Sequence, residues 1–303
     1  MLDCLLPAGE HNHPGQTCPG SDHEPVTNAK MINTLATVES NREIAPGYRL
    51  LTVELKVDLT VRPGQFAMLK AHGSIEPLLR RALAVYHVYG PRRLSFLYQV
   101  LGRGTEALSQ LEPEGAVEAL LPLGNSWPVE GSPNQRAIVV AGGIGSASLL
   151  MLCEELAARH VDVQLFFGAA SKDAAAGCGL EDFRTLAVPL AVTTDDGSLG
   201  ERGFVTAPLE RYLRSGGGAG ATTYACGPWV MMRRVAEISA HFEVPCLVSL
   251  EAPMGCGFGV CVGCVVAVKT GGPIGYESYK RVCTDGSIFS AEAIRWEVNA
   301  MSH

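Results

Sequence analysis

The sequence predicts a β-barrel plus an α/β domain: a small antiparallel barrel, then a doubly wound parallel sheet, then a small C-terminal cysteine-rich domain. Three observations carry this. Residues 31–130 hold short alternating segments separated by Gly and Pro breaks. From 131 onward, apolar runs without alternation trade places with segments of helical spacing. Beyond Pro245 the periodicity fades and Gly and Cys take over. The expected divisions are 1–30, 31–130, 131–248 and 249–303.

Residues 1–30 are polar, contain Pro and Gly, and show no sustained period, so they read as an extension. Cys4, His11, His13 and Cys18 are metal-ligand types, but their spacing fits no metal motif. In the barrel region YRLLTVELKV and FAMLKA alternate polar and apolar residues, and RRLSFLYQVLG and AVEALLPLG follow. The one helix expected there is GTEALSQLE, with Thr105 as cap and Ala107, Leu108 and Leu111 on one face.

AIVVAGG is an apolar run of the kind buried on both faces of a parallel sheet. SASLLMLCEELAARH then spaces Leu149, Leu152, Cys153 and Leu156 as one helix face. VDVQLFFGA, PLAVTTDDG and TTYACG read as further buried strands, with VMMRRVAEISAHF as a helix. Residues 250–303 lack such patterns, so their shape is expected to come from a metal centre rather than a hydrophobic core.

The formal net charge of −7 argues against nucleic acid or an anionic membrane as partner. No run of 18 apolar residues occurs, and MLDCLLPAGEHNHPG lacks the basic and apolar regions of a signal peptide. A cytoplasmic protein is expected. Of the 10 Cys, four cluster between 256 and 283, which in a reducing compartment points to metal or redox chemistry.

CGFGVCVGC places Cys256, Cys261 and Cys264 at C-x4-C-x2-C, and Cys283 follows at a distance. This is the plant-type ferredoxin spacing, in which one tight loop wraps a [2Fe–2S] cluster and a distant Cys closes it. Gly255, Gly257, Gly259 and Gly263 let backbone amides approach the sulfurs. Zinc or inert thiols are the alternatives, although zinc sites usually show two paired hooks.

AGGIGSAS stands where a strand gives way to a helix, so Gly142, Gly143 and Gly145 are candidates to admit a diphosphate. A plain strand–helix turn is the alternative. Cys226, Gly227 and Pro228 mark a second junction at a strand's carboxyl end, where ligands collect in open sheets. Cys226 also suits a small buried hydrophobe; Cys153 and Cys246 read as core, and Cys178 as a loop thiol. In the barrel, Arg80 or Arg81 can pair with a phosphate that Gly102, Gly104 and Thr105 help to hold, or can lie on a solvated edge.

Together these segments resemble the ferredoxin-reductase superfamily, and within it the electron-transfer subunits of bacterial class 1B dihydroorotate dehydrogenase. The resemblance covers about residues 31–303 and is most specific in VPCLVSLEAPMGCGFGVCVGCVV and YKRVCTDGSIFSAEAI; TTDDGSLGERGFVT, AGGIGSAS and YACGP also fit. It implies FAD on the barrel, NAD on the sheet domain, and a [2Fe–2S] cluster facing an FMN-containing dihydroorotate dehydrogenase catalytic subunit in a heterotetramer. The family's flavin motif R-P-[IF]-S falls on Arg81, Ala82, Leu83 and Ala84; Ala84 replaces the Ser that bonds the isoalloxazine. The flavin-facing strand falls on Leu97, Tyr98 and Gln99, the phosphate turn on Gly104 and Thr105, and the nicotinamide side on Cys226, Gly227 and Pro228. Ser148 replaces a usual Pro, and all four cluster cysteines match.

The implied reaction is oxidation of dihydroorotate by the partner, with electrons reaching NAD+ through the cluster and FAD, in pyrimidine biosynthesis. No acid–base dyad is needed in this chain. A second expectation is an FAD/[2Fe–2S] reductase subunit of another NAD(P)H-linked complex, of bifurcating transhydrogenase or hydrogenase type. Those relatives vary the first cluster ligand, so Cys256 favours the dihydroorotate reading, while Lys172 leaves an opening for a 2′-phosphate. A third is a metal-stabilised binding module, which would be colourless and hold zinc.

Overall fold

The computed structural model describes residues 30–73, 75–129, 136–270 and 275–298; the Cys4–Cys18 group lies outside them. The first sheet is built from β1 (Ile32–Ala45), β2 (Tyr48–Glu54), β3 (Phe66–Ala71), β4 (Arg81–Ala84), β5 (His87–Val88), β6 (Arg93–Gln99) and β7 (Ala116–Leu123), with α1 (Arg103–Ser109) between the last two. Its order is β4-β3-β7-β1-β2-β6-β5, antiparallel throughout. Alternation along β3 sorts its residues: Ala67 and Leu69 enter the barrel core with Val38, Leu51, Phe96 and Tyr98. Phe66 and Met68 point the other way, into a second core. β1 was not legible from pattern because its register shifts near Ser40 and Ala45 break the alternation. Helix α1 falls where expected, and Leu108 is fully buried.

The second sheet contains β8 (Arg136–Gly142), β9 (Asp162–Ala169), β10 (Leu190–Thr194), β11 (Glu201–Arg202), β12 (Ala221–Cys226) and β13 (Cys246–Ser249), all parallel. Helices α2 (Leu150–Ala158), α3 (Lys172–Gly177), α4 (Leu180–Thr185), α5 (Thr206–Tyr212) and α6 (Trp229–His241) connect them. The order is β11-β10-β9-β8-β12-β13, so the chain winds outward one way from β8 and then returns to start again at β12. The switch point between β8 and β12 is where such sheets open a crevice at the strands' carboxyl ends.

The C-terminal segment contributes a ribbon of β14 (Val265–Ala267) and β15 (Tyr279–Arg281), and β16 (Ile288–Ser290), which pairs antiparallel with β13 and ends the second sheet. Its shape does not rest on a metal centre alone. Cys264, Val266, Val268, Val282, Cys283, Ile294 and Trp296 are buried in the same core as Phe66, Met68, Val140 and Val248. The sequence pattern missed this because single residues, not a periodic face, enter the core from loops and three-residue strands.

The barrel and the α/β sheet meet over a third core that holds Tyr86, Leu97, Trp127, Val139 and Ile288. Polar contacts cross it. Tyr86 donates its hydroxyl to Asp182 (2.5 Å), and His87 Nδ1 lies 2.8 Å from Glu154 Oε1.

Candidate metal centre and nucleotide loops

Among the described residues, no three His, Cys, Asp or Glu side chains converge as a single-ion site requires. The four C-terminal cysteines form two pairs instead. Cys256 Sγ accepts the Cys261 N–H at 3.5 Å and touches the Cys261 thiol. Cys264 and Cys283 stand in thiol contact, with Cys283 close enough to Cys256 to feel its charge. Two thiolates for each of two irons is the demand of a [2Fe–2S] cluster, so the donor set fits that group and not a lone zinc ion.

The loop geometry fits as well. N–H groups of Phe258, Val260 and Cys261 aim at the Cys256 sulfur, and that of Gly259 aims at Cys283. Burial raises the Cys256 thiol pKa, but those N–H donors and the Cys261 thiol outweigh it and bring it to about 6. Burial, and then contact with Cys264, pushes Cys283 up to about 12. A Cβ at Gly255 or Gly263 would project toward Cys261 Sγ (3.5 and 3.6 Å) with no other atom near, filling the hollow beside the sulfur. Gly257 (φ +83°) and Gly259 (φ +88°) adopt the left-handed backbone that bends the loop. Arg281 closes the site by donating to the Gly259 carbonyl (3.4 Å) while Asp285 holds its backbone N–H (2.7 Å).

Toward the interior, the cluster loop rests on the barrel. A Cβ at Gly257 would come within 2.4 Å of Met68 Cγ. Met68 pairs directly with Ala82 of β4. Toward solvent, Cys261 is exposed, amid exposed Phe258, Val260, Val262, Val265, Tyr276 and Tyr279.

The two arginines part at the start of β4, with Arg80 just before it and Arg81 its first residue. Arg80 is engaged by Glu118 (3.3 Å) and Asn33 (3.0 Å). Arg81 donates only to the carbonyls of Leu79 (2.9 Å) and Arg80 (3.3 Å) among the described residues, and its guanidinium lies on Gly104, where a Cβ would sit 1.9 Å from Nε. A guanidinium with no carboxylate partner, against a glycine turn, suits a diphosphate. Thr105 is not the cap; Gly102 is, and Thr105 Oγ1 accepts from Leu101 N (2.9 Å) and Gly102 N (3.2 Å), which locks the turn. Leu83 and Tyr98 point into the barrel, where the Tyr98 hydroxyl meets Asn41 Oδ1 at 3.2 Å, whereas Ala84 and Leu97 face the α/β sheet. Gln99 follows Leu97 on that outer side by alternation.

At the switch point, residues 143–148 form a 3₁₀ turn between β8 and α2. Gly142 and Gly145 serve protein packing: a Cβ would strike Met231 Sδ (2.2 Å) or the Gly227 backbone (2.5 Å). Gly143, with φ +53°, alone of the three faces open space. Cys226 is buried between Ser148 and Ser249, and burial pushes its thiol up to about 12. Ser148 Oγ is itself buried with no hydrogen-bond partner beyond that neighbouring thiol. Pro228 leads into α6. Cys178 is not a loop thiol: it is fully buried at the end of α3, where its carbonyl accepts from Ser146 Oγ (2.6 Å). Arg281, Asn125 and Met68 escaped sequence reading because their importance lies in contacts across the chain; Arg281, two residues before Cys283, carried the only local hint.

Comparison with known proteins bears on the same elements. A family model for the "Iron-sulfur cluster binding domain of dihydroorotate dehydrogenase B" matches residues 251–295. The chain is 37% identical over 236 residues to the dihydroorotate dehydrogenase B (NAD(+)) electron transfer subunit of Desulforamulus reducens, covering 78% of this chain and 87% of that one. It is 39% identical over 259 residues to the subunit of the same name from Geobacillus kaustophilus, covering 84% and 95%. Among solved structures, it is similar to one of NADH-dependent reduced ferredoxin-NADP oxidoreductase, with TM-score 0.73, 27% identity, and 87% and 90% coverage. Phthalate dioxygenase reductase, at 17% identity and TM-score 0.58 over 79% and 87% of the chains, shares the fold.

Proposed function

The chain belongs to the family of dihydroorotate dehydrogenase B electron transfer subunits, and from that premise we propose that its cluster loop is the entry for electrons from an FMN-containing catalytic subunit. It is an oxidoreductase subunit that passes electrons to NAD+ in pyrimidine biosynthesis, with FAD and a [2Fe–2S] cluster as its cofactors. The cluster handles electrons singly, while FAD, when bound, exchanges them in pairs with the nicotinamide.

The observation that carries the reading is the line Cys256–Gly257–Met68–Ala82. The cluster loop packs on β3 at the residue paired with the flavin motif, so one strand spacing, about 4.8 Å, separates the loop's footing from β4. Cys256, Cys261, Cys264 and Cys283 would hold the cluster, and the loop amides would stabilise charge on its sulfurs. Arg81 with the Gly102–Thr105 turn would hold the FAD diphosphate. Ala82 and Ala84 would offer the isoalloxazine only backbone groups, because neither side chain can donate a hydrogen bond. Gly143 would admit the NAD diphosphate, and Cys226–Gly227–Pro228 would flank the nicotinamide.

Exposed Cys261 and the apolar rim of Phe258, Val260, Val262 and Tyr276 support partner docking at the cluster, since an exposed apolar patch around a redox centre is unfavourable until covered. The assembly we infer is a heterotetramer in the cytoplasm, where the free thiols stay reduced.

The test is an anaerobic visible spectrum of the chain co-expressed with a candidate FMN subunit, before and after dihydroorotate. Bleaching of flavin and iron–sulfur bands, followed by NADH formation on adding NAD+, is expected. A complex that bleaches with NADH but ignores dihydroorotate would instead point to a reductase subunit of another NAD(P)H-linked complex.

A further inference from the structure

We propose that Ser148 is a positioning residue: acting through the Cys226 thiol, its hydroxyl sets the nicotinamide junction against the barrel that carries the flavin. The assignment rests on the flavin and nucleotide reading above. Ser148 is buried, and its hydroxyl has no hydrogen-bond partner beyond the Cys226 thiol among the described residues. Burying a hydroxyl without a full partner costs stability, so packing alone gives no reason to keep one here.

Cys226 is held from two sides. Its partner across β13 is Ser249, whose hydroxyl donates to Ser287 Oγ at 3.3 Å. With that proton committed, Ser249 Oγ offers the thiol only a lone pair. The Ser148 hydroxyl then donates to the Cys226 sulfur, which completes a buried chain from Ser148 through Cys226 and Ser249 to Ser287.

Ser148 is fixed from the barrel as well. Its carbonyl accepts the Trp127 indole N–H at 2.8 Å, and Trp127 N donates to the Pro63 carbonyl, just before β3, at 2.9 Å. The Trp127 ring stands edge-on to Tyr224, two residues before Cys226, with centroids 5.8 Å apart. On the sheet side, a Cβ at Gly145 would come within 2.5 Å of Gly227 N, so the turn that ends in Ser148 rests on the nicotinamide junction. Ala84 and Leu97, on the flavin side, pack in the same core as Cys226 and Trp127. Barrel, diphosphate turn and nicotinamide junction therefore meet at Ser148.

Hydride transfer is sensitive to how they meet. The barrel would carry the flavin and the sheet the nicotinamide, whose reacting atoms must approach to about 3–3.5 Å. A misplacement of about 1 Å costs on the order of a hundredfold in rate. A tie between the two units beside Cys226 limits that error.

The measurement is anaerobic single-turnover reduction of the FAD- and cluster-loaded chain by NADH. It is read together with the long-wavelength charge-transfer absorption of the stacked flavin and nicotinamide. Ser148→Ala is expected to slow reduction at least about tenfold and to weaken that absorption, while Ser148→Thr, which keeps the hydroxyl, retains both. Calorimetric affinity for ADP-ribose and the unfolding temperature stay those of the parent, because neither the diphosphate turn nor a strong hydrogen bond is lost. In a Cys226→Ala background, Ser148→Ala slows the reaction no further. Parent-like reduction and absorption in Ser148→Ala overturn the assignment. So does a rate loss that multiplies in the Cys226→Ala background, or a parallel loss of ADP-ribose affinity. If the parent binds neither ADP-ribose nor NADH, the nucleotide reading itself fails and this inference with it.

Discussion

The side-chain amide of Asn125 pairs with the backbone of Ile288 as a neighbouring strand would: Nδ2 donates to the Ile288 carbonyl and Oδ1 accepts the Ile288 N–H, each at 2.9 Å. The Asn125 N–H also donates to the Gly286 carbonyl at 2.6 Å. One residue at the barrel's exit therefore fastens the strand that follows the fourth cluster cysteine. Asn125→Ala removes both side-chain bonds and is expected to destabilise the chain by about 1 kcal/mol. Urea unfolding measures this, and faster amide exchange at Ile288 should accompany it. Unchanged exchange would mean that β16 is held by its pairing with β13 alone.

Gly257 couples the cluster loop to the barrel by having no side chain. Gly257→Val places a β-branched residue at φ +83° and against Met68, a combination expected to cost about 1–3 kcal/mol. Iron and sulfide per chain should fall, while FAD content stays near that of the parent. Full cluster loading in this variant would show that the loop can leave Met68 without loss.

The two neighbouring arginines should separate in flavin affinity. Arg81→Gln removes a guanidinium that has no carboxylate partner among the described residues and is expected to weaken FAD binding by about 1.5–3 kcal/mol, the range for charged hydrogen bonds. Arg80→Gln breaks contacts to Glu118 and Asn33 instead and should change affinity far less. Flavin release followed by fluorescence distinguishes them; equal losses would contradict the placement of the diphosphate.

Cys261 is the exposed cluster cysteine. Cys261→Ser is expected to reduce dihydroorotate-dependent NAD+ reduction by at least about tenfold, given how steeply metal-site function depends on its ligands, while sparing most NADH–dye activity. Parallel loss of both activities, with FAD bound and the fold intact, would refute this division of labour.

The barrel and α/β sheet should hold together more firmly in mild acid. The hydrogen bond to Glu154 raises the His87 pKa above its usual value, burial opposes this, and the charges of Glu154 and Asp182 add to the rise. A raised folded-state pKa means that the contribution is complete below the unfolded value of about 6.5. It is lost as pH climbs through the folded-state value. Glu154→Gln should therefore lower the unfolding temperature most near pH 5.5, with the gap closing by about pH 8.5. The half-exposed pair is worth on the order of 1 kcal/mol or less. A gap that widens with pH would reverse the assignment.

The sequence by itself determined the elements whose signal is local. C-x4-C-x2-C needs only nearest neighbours to specify a thiolate loop, and uninterrupted apolar runs such as AIVVAGG betray strands buried on both faces wherever they end up. Helix α2 was legible because Leu149, Leu152, Cys153 and Leu156 repeat at the helical period, and all four are buried.

Only the tertiary structure decided which candidates serve a ligand and which serve packing. Gly142, Gly143 and Gly145 look alike in sequence. Yet Gly142 and Gly145 are spent on Met231 and Gly227, more than 80 residues away, and Gly143 alone stays open. Arg80 and Arg81 are neighbours, but the first, just outside β4, reaches Glu118, while the second, at the start of β4, lies on Gly104. The C-terminal segment showed no periodicity because its buried residues enter a shared core singly, beside Phe66 and Val248 from the other two parts. Local pattern records how a segment presents its own faces; what those faces meet depends on chain brought back from far away, and no window of sequence contains that information.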